Sequence, residues 1–240
     1  MIELERPRDV GEIIRDAFRV WWAGPGRFVV IAIAVILPIE VVIFGLGLGQ
    51  LRGPYEDDPS REVMGLELGV SWLLTTPLLT AMTIRALVAP EIGIREAIVR
   101  GTELFLPALV VTVMTAVVVV GGLFVLILPG IFLAVRLAFV VEAVAIDDAR
   151  AGEALRRSWQ LTDGNFWRVL GISLGIYLIA AGIAAVIALP FDGIARNADA
   201  QVWALAGRII GSVITLPVTV IASTLLYFDL RARQPTPSGS

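Results

Sequence analysis

Glu40, Arg85, Arg136, Glu142 and Asp229 lie within or at the edge of long apolar runs, and any chemistry of this chain is sought first among them. A charge placed at the centre of a bilayer costs roughly 2.5–3.5 kcal/mol on insertion scales, so it requires a partner or a task. Glu40 stands about 18 Å along its run from Phe28, and Arg136 about 15 Å from Ile146, at about 1.5 Å per helical residue. The matching depths predict a Glu40–Arg136 ion pair facing the interior of a bundle. Such a pair either holds a solute or fixes helix register. Glu142 and Arg85 each sit about 6 Å from the inner end of a run. They form a second pair or snorkel separately to the interface. Asp229, just before Arg231, is expected to cap or pair locally.

Other chemistry is scarce. The chain has no Cys and no His, which removes disulfides, thiol nucleophiles, Cys/His zinc sites and the commonest general base. All 19 basic residues are Arg, so no phosphate loop with its Lys exists; the bias reads as codon usage in a GC-rich genome. The net charge of −3 and the lack of a basic stripe with interleaved aromatics argue against a nucleic-acid partner. Asp147-Asp148 reads as a helix-start pair, where Asp is a normal cap. Glu56-Asp57-Asp58 lacks EF-hand spacing and reads as a solvated acidic loop. No cofactor is expected.

The elements that must position these charges are membrane spans. Apolar residues make up 57% of the 240 residues and charged ones 17%, where a soluble domain carries about a quarter charged. The apolar residues collect into six runs of about the 20 residues that a spanning helix needs. These are about 28–49, 66–89, 105–128, 130–146, 166–189 and 202–228. The first run is too long and too late for a cleavable signal and reads as a retained span. Leu128-Pro129-Gly130 reads as a tight turn between the third and fourth spans. Residues 1–233 form a single membrane domain and 234–240 a disordered tail.

Fourteen of the Arg residues fall near one set of span ends and four, Arg52, Arg61, Arg196 and Arg208, near the other. The asymmetry predicts cytoplasmic N- and C-termini in a bacterial plasma membrane. The six Trp residues, among them Trp21, Trp22 and Trp159, cluster near span ends and fit an aromatic belt. Pro38, Pro77, Pro190 and Pro217 read as kinks, and Pro38, two residues before Glu40, suggests a broken helix. Gly45, Gly47, Gly49 and Gly121-Gly122 allow close helix approach.

The chain also repeats. Gly11-Glu12-Ile13-Ile14-Arg15-Asp16-Ala17-Phe18 precedes the first span, Ile94-Arg95-Glu96-Ala97-Ile98-Val99-Arg100 the third, and Gly152-Glu153-Ala154-Leu155-Arg156-Arg157-Ser158-Trp159 the fifth. Each carries apolar residues at helical spacing with charges opposite, as interfacial helices do. The expected fold is all-α: a polytopic bundle of three parallel repeats, each one interfacial amphipathic helix plus two spans. Arg156, Arg157 and Arg168 are then placed to meet lipid phosphates.

The stretch from Leu128 to Leu170 carries Leu-Pro-Gly, Val135-Arg136, Glu153-Ala154-Leu155-Arg156-Arg157-Ser158-Trp159 and Asn165-Phe166-Trp167-Arg168. Together with Leu226-Tyr227-Phe228-Asp229-Leu230-Arg231, it resembles bacterial membrane proteins grouped with the glycerophosphoryl diester phosphodiesterase membrane domain. The resemblance implies the membrane part only, since the catalytic barrel of that group relies on His. The expected function is a non-enzymatic protein that binds or moves a lipid-like or small polar solute. The alternatives are a scaffold organising lipids or partner proteins, and an enzyme on lipid headgroups with Glu40, Glu142 or Asp229 as acid or base. Expected partners are the bilayer, anionic headgroups, and a second copy or another membrane protein.

Overall fold

A computed structural model describes residues 4–45, 61–198 and 201–234, with the side chains of 44–45, 61–68, 195–198 and 201 left out. The acidic segment Glu56–Asp58, Gly47, Gly49, Arg52 and the tail beyond 234 lie outside the described residues. Ten helices follow one another among the described residues: α1 Val10–Ala23, α2 Pro25–Gly45, α3 Arg61–Val88, α4 Ile94–Glu103 and α5 Phe105–Val125, then α6 Ile127–Arg136, α7 Val140–Asp147, α8 Ala151–Thr162, α9 Phe166–Ala198 and α10 Gln201–Arg233. Six segments are long and apolar enough to cross a membrane, with α6 and α7 together forming the fourth. The protein is an all-α membrane bundle.

The threefold repeat is visible in the order of elements. A short helix, α1, α4 or α8, precedes each pair of spans. Each short helix buries the same two positions. These are Ile13 and Ala17 in α1, Ala97 and Gly101 in α4, and Ala154 and Ser158 in α8. Each pair is four residues apart, on one face of a helix, and a Glu (12, 96 or 153) stands just before the first. The buried face is narrow, and apart from Ile13 these positions carry small residues, so it seats against protein rather than facing lipid. α4 packs on α3, α8 on α7, and α1 on α10. Each short helix thus rests on the second span of the preceding repeat, and the ring closes from the third repeat to the first.

The spans follow the same rule. The second spans, α3, α6–α7 and α10, have 50%, 44% and 56% of their apolar windows buried, against 39%, 17% and 11% for the first spans α2, α5 and α9. The second spans form the centre and the first spans the periphery. α2 also lies on α10, and α5 on α3, so adjacent repeats share a wall.

Three local expectations are corrected. The turn between α5 and α6 is the single extended residue Leu126. Pro129 lies in the first turn of α6, where its missing N–H costs nothing. Gly130 serves close approach instead: a Cβ there would run into the Leu123 side chain and backbone of α5. The fourth span is also broken. Its helix stops at Arg136 and resumes at Val140. The Ser158 hydroxyl of α8 donates to the Arg136 carbonyl at 2.8 Å and accepts from the Phe139 N–H at 3.1 Å. Backbone groups released by the break are therefore met by a side chain, as a membrane interior requires. α2, by contrast, continues through Pro38 to Gly45, so no broken helix forms beside Glu40.

Candidate functional site

Glu40 projects from the far half of α2. The Ser71 hydroxyl of α3 donates to its Oε1 at 2.6 Å, and the Arg208 guanidinium of α10 to its Oε2 at 2.6 Å. The expected Glu40–Arg136 pair does not form. Arg208, assigned from sequence to the outer connectors, lies inside the apolar window of α10 and supplies the counter-charge. Its position inside the Val202–Phe228 run was the available signal.

Arg136 ends α6. Its guanidinium lies 5.1 Å from the Phe132 ring and 5.0 Å from the Trp159 ring, and pairs with the exposed Asp163 at 3.0 Å. A cation between two aromatic faces is held by the negative face of each ring. Because the span breaks just after Arg136, its side chain turns to the α8–α9 junction instead of the bundle centre.

Glu142 and Arg85 do not pair either. Buried Glu142 accepts from the Ser223 hydroxyl of α10 at 2.5 Å, while Arg85 reaches the exposed Asp148 at 3.0 Å. α7 carries Glu142 across to α10 but leaves Arg85 at the rim.

Asp229 is wholly buried and far better connected than a local cap. It does pair one turn on with Arg233 at 2.8 Å, and it also accepts from the backbone N–H of Arg8 at 2.6 Å and from Arg168 at 3.0 Å. Arg168 and Arg233 both donate to the Arg8 carbonyl. The Arg8 side chain is buried and meets Asp16 of α1 at 3.3 Å. Beside this knot Asp147 accepts from the Tyr227 hydroxyl and from Arg231 at 2.9 Å, with Arg157 at 3.4 Å. Arg157 and Arg168, expected at lipid phosphates, are thus committed to carboxylates of the protein. Arg156 is exposed, as are Arg15, Arg95 and Arg150, and the guanidinium groups of these four have no hydrogen-bond or ion-pair partner among the described residues.

These pairings join the repeats at one end of the bundle. Arg85–Asp148 links the first to the second, Asp147–Arg231 the second to the third, and Asp229–Arg8 the third to the first. Arg27 closes the same rim by donating to the Ala89, Pro90 and Ile92 carbonyls after α3, where a cation meets the negative end of a helix.

A cavity of about 330 Å³ lies to the side of the centre, between α1, α9 and α10. Ile14, Phe18, Trp21 and Trp22 of α1 overhang it. It touches none of Glu40, Arg136 or Glu142. Among the described residues no three carboxylates gather to hold a metal ion.

In class this is a helical membrane protein of three repeats around a common centre, bound at one end by a rim of ion pairs and open to the side beneath one short helix. The chain belongs to a family described as a domain of unknown function, DUF7847, whose model matches residues 67–230. That match takes in most of α3, all of α4 to α9, and α10 as far as Leu230. No curated protein and no solved structure matches the chain.

Proposed function

We propose that this is a non-enzymatic lipid-binding protein of a bacterial plasma membrane, with its charged rim and both termini in the cytoplasm. One observation carries the reading: among the described residues the interior charges named above are consumed by protein partners, and an apolar space opens at the side. Glu40 is taken by Ser71 and Arg208, Glu142 by Ser223, and Arg136 by Asp163 and two rings. A conduit for polar solutes needs unspent polar groups at a central passage. A lateral apolar opening instead favours a ligand that arrives from the bilayer. The resemblance within 128–170 to a membrane domain fused elsewhere to a phosphodiesterase barrel accords with a lipid ligand.

The test is native mass spectrometry of the full chain released from bacterial membranes in mild detergent. Retention of specific phospholipids supports the reading, and a ligand-free protein, or one retaining only polar solutes, overturns it. Orientation is tested separately. The chain has no Cys, so single cysteines give clean labelling with a membrane-impermeant maleimide on intact cells. Ser60→Cys is expected to label and Glu153→Cys to stay protected until the membrane is opened.

A further inference from the structure

The lateral cavity is a departure from the threefold pattern. α4 leans on α2 and α8 on α5, the first span of the preceding repeat in each case, whereas α1 stands off α9. The space so left is walled by Ile176, Ala180 and Ile183 of α9 and by Ile214, Val218 and Ala222 of α10. Thr215 and Thr219 also line it, but their hydroxyls donate to the Gly211 and Thr215 carbonyls of their own helix at 2.8 and 3.0 Å. No free donor faces the space from them, and its walls behave as apolar. From Ile214 to Ala222 the wall runs about 12 Å at about 1.5 Å per residue. One leaflet of a hydrocarbon core about 30 Å thick is about 15 Å deep. The volume of about 330 Å³ is at the small end for ligand sites, which suits one chain rather than two.

The rim of the space carries a charge. At about 100° per residue Arg15 lies about 20° round α1 from Trp22, which lines the opening. Arg15 is exposed and its guanidinium makes no ion pair or hydrogen bond among the described residues, whereas Arg19, the next Arg on α1, meets Asp16. Arg15 stands next to Ile14 and about one turn before Phe18, both of which line the space, and a guanidinium so placed is suited to a phosphate at headgroup level. Arg95, Arg150 and Arg156 at this end, also exposed and with guanidinium groups that meet no partner among the described residues, raise the local preference for anions.

We propose that the crevice under α1 holds one acyl chain of an anionic phospholipid, with the phosphate on Arg15. The proposal rests on the lipid-binding reading above and names its ligand. The experiment uses the full chain purified in mild detergent and exchanged into equimolar phosphatidylglycerol and phosphatidylcholine. Bound lipid is read by native mass spectrometry on the monodisperse fraction. The unaltered chain is expected to retain one phospholipid, enriched in phosphatidylglycerol. Ala180→Trp, or Ile183→Trp should the first fail to fold, fills the space and is expected to lower retention roughly tenfold. Arg15→Gln is expected to keep a lipid bound and lose the preference for phosphatidylglycerol. Undiminished retention by a folded, filled variant overturns the crevice as the site and leaves the broader reading standing. An unchanged headgroup preference in Arg15→Gln overturns the phosphate assignment. An unaltered chain that retains no phospholipid overturns both.

Discussion

Glu40 and Arg208 meet at 2.6 Å, with the carboxylate side chain 9% exposed and the guanidinium 39%. Breaking a sealed pair costs about 3–5 kcal/mol, because one charge is left buried alone. Here Arg208 retains access to the exterior, so Glu40→Ala is expected to cost less, roughly 1–3 kcal/mol. A charge swap identifies the partner. Glu40→Arg combined with Arg208→Glu is expected to recover the melting temperature lost by either reversal in detergent. Glu40→Arg combined with Arg136→Glu is not, since Arg136 is held by Asp163, Phe132 and Trp159.

Two of the short helices, α4 and α8, depend on small residues at the shared positions. A Cβ at Gly101 would collide with the backbone and side chain of Met82, so α4 approaches α3 as closely as glycine permits. Gly101→Val is expected to push α4 away and destabilise the bundle by about 1–3 kcal/mol, the usual cost of overpacking, read as a lower melting temperature. Ser158 acts differently, through hydrogen bonds. Removing its hydroxyl strands the Phe139 N–H and weakens the cap on the Arg136 carbonyl. Ser158→Ala is expected to cost about 1–3 kcal/mol, and hydrogen exchange should quicken around 137–139 while the α5–α6 tip is unaffected. Equal exchange in both segments of the two proteins would remove the role assigned to α8.

The rim joints that close the ring of repeats are unequal, and burial says how. Asp229 is wholly shielded and faces Arg168, Arg233 and the Arg8 N–H. Asp148, with a side chain 73% exposed, faces only Arg85 among the described residues. Asp229→Ala leaves two guanidinium groups and a buried N–H without their acceptor, an expected loss of about 3–5 kcal/mol. Asp148 adopts a left-handed backbone, φ 51°, which Asn tolerates and Ala does not, so Asp148→Asn removes only a solvent-screened pair worth at most about 1 kcal/mol. The melting temperatures of the two variants should therefore differ widely. Similar losses would mean that the third-to-first joint is no stronger than the first-to-second, and that the threefold ring is not locked at Asp229.

Much of this arrangement was legible in the order of residues. Six apolar runs and three short amphipathic stretches follow from composition and helical period alone, because a membrane span must satisfy its own backbone and reads as a run of suitable length. The pairing of charges was not legible. Equal depth along two spans says nothing of the direction in which a side chain points, so Glu40 and Arg136 matched in height and met different partners. The break after Arg136 left no Gly or Pro to mark it, since Val135-Arg136-Leu137-Ala138-Phe139 reads as continuous helix. Its stability comes from Ser158, 22 residues on from the carbonyl it caps. Asp229 looked like a local cap because the N–H it serves lies 221 residues away in sequence. The sequence by itself determined a threefold run of short helix and span pair in a membrane. Only the tertiary structure decided which charges meet, that the short helices rest on neighbouring repeats, and that α1 leaves a space beside α9. Those depend on helix rotation and on contacts between distant segments, which periodicity along one chain does not encode.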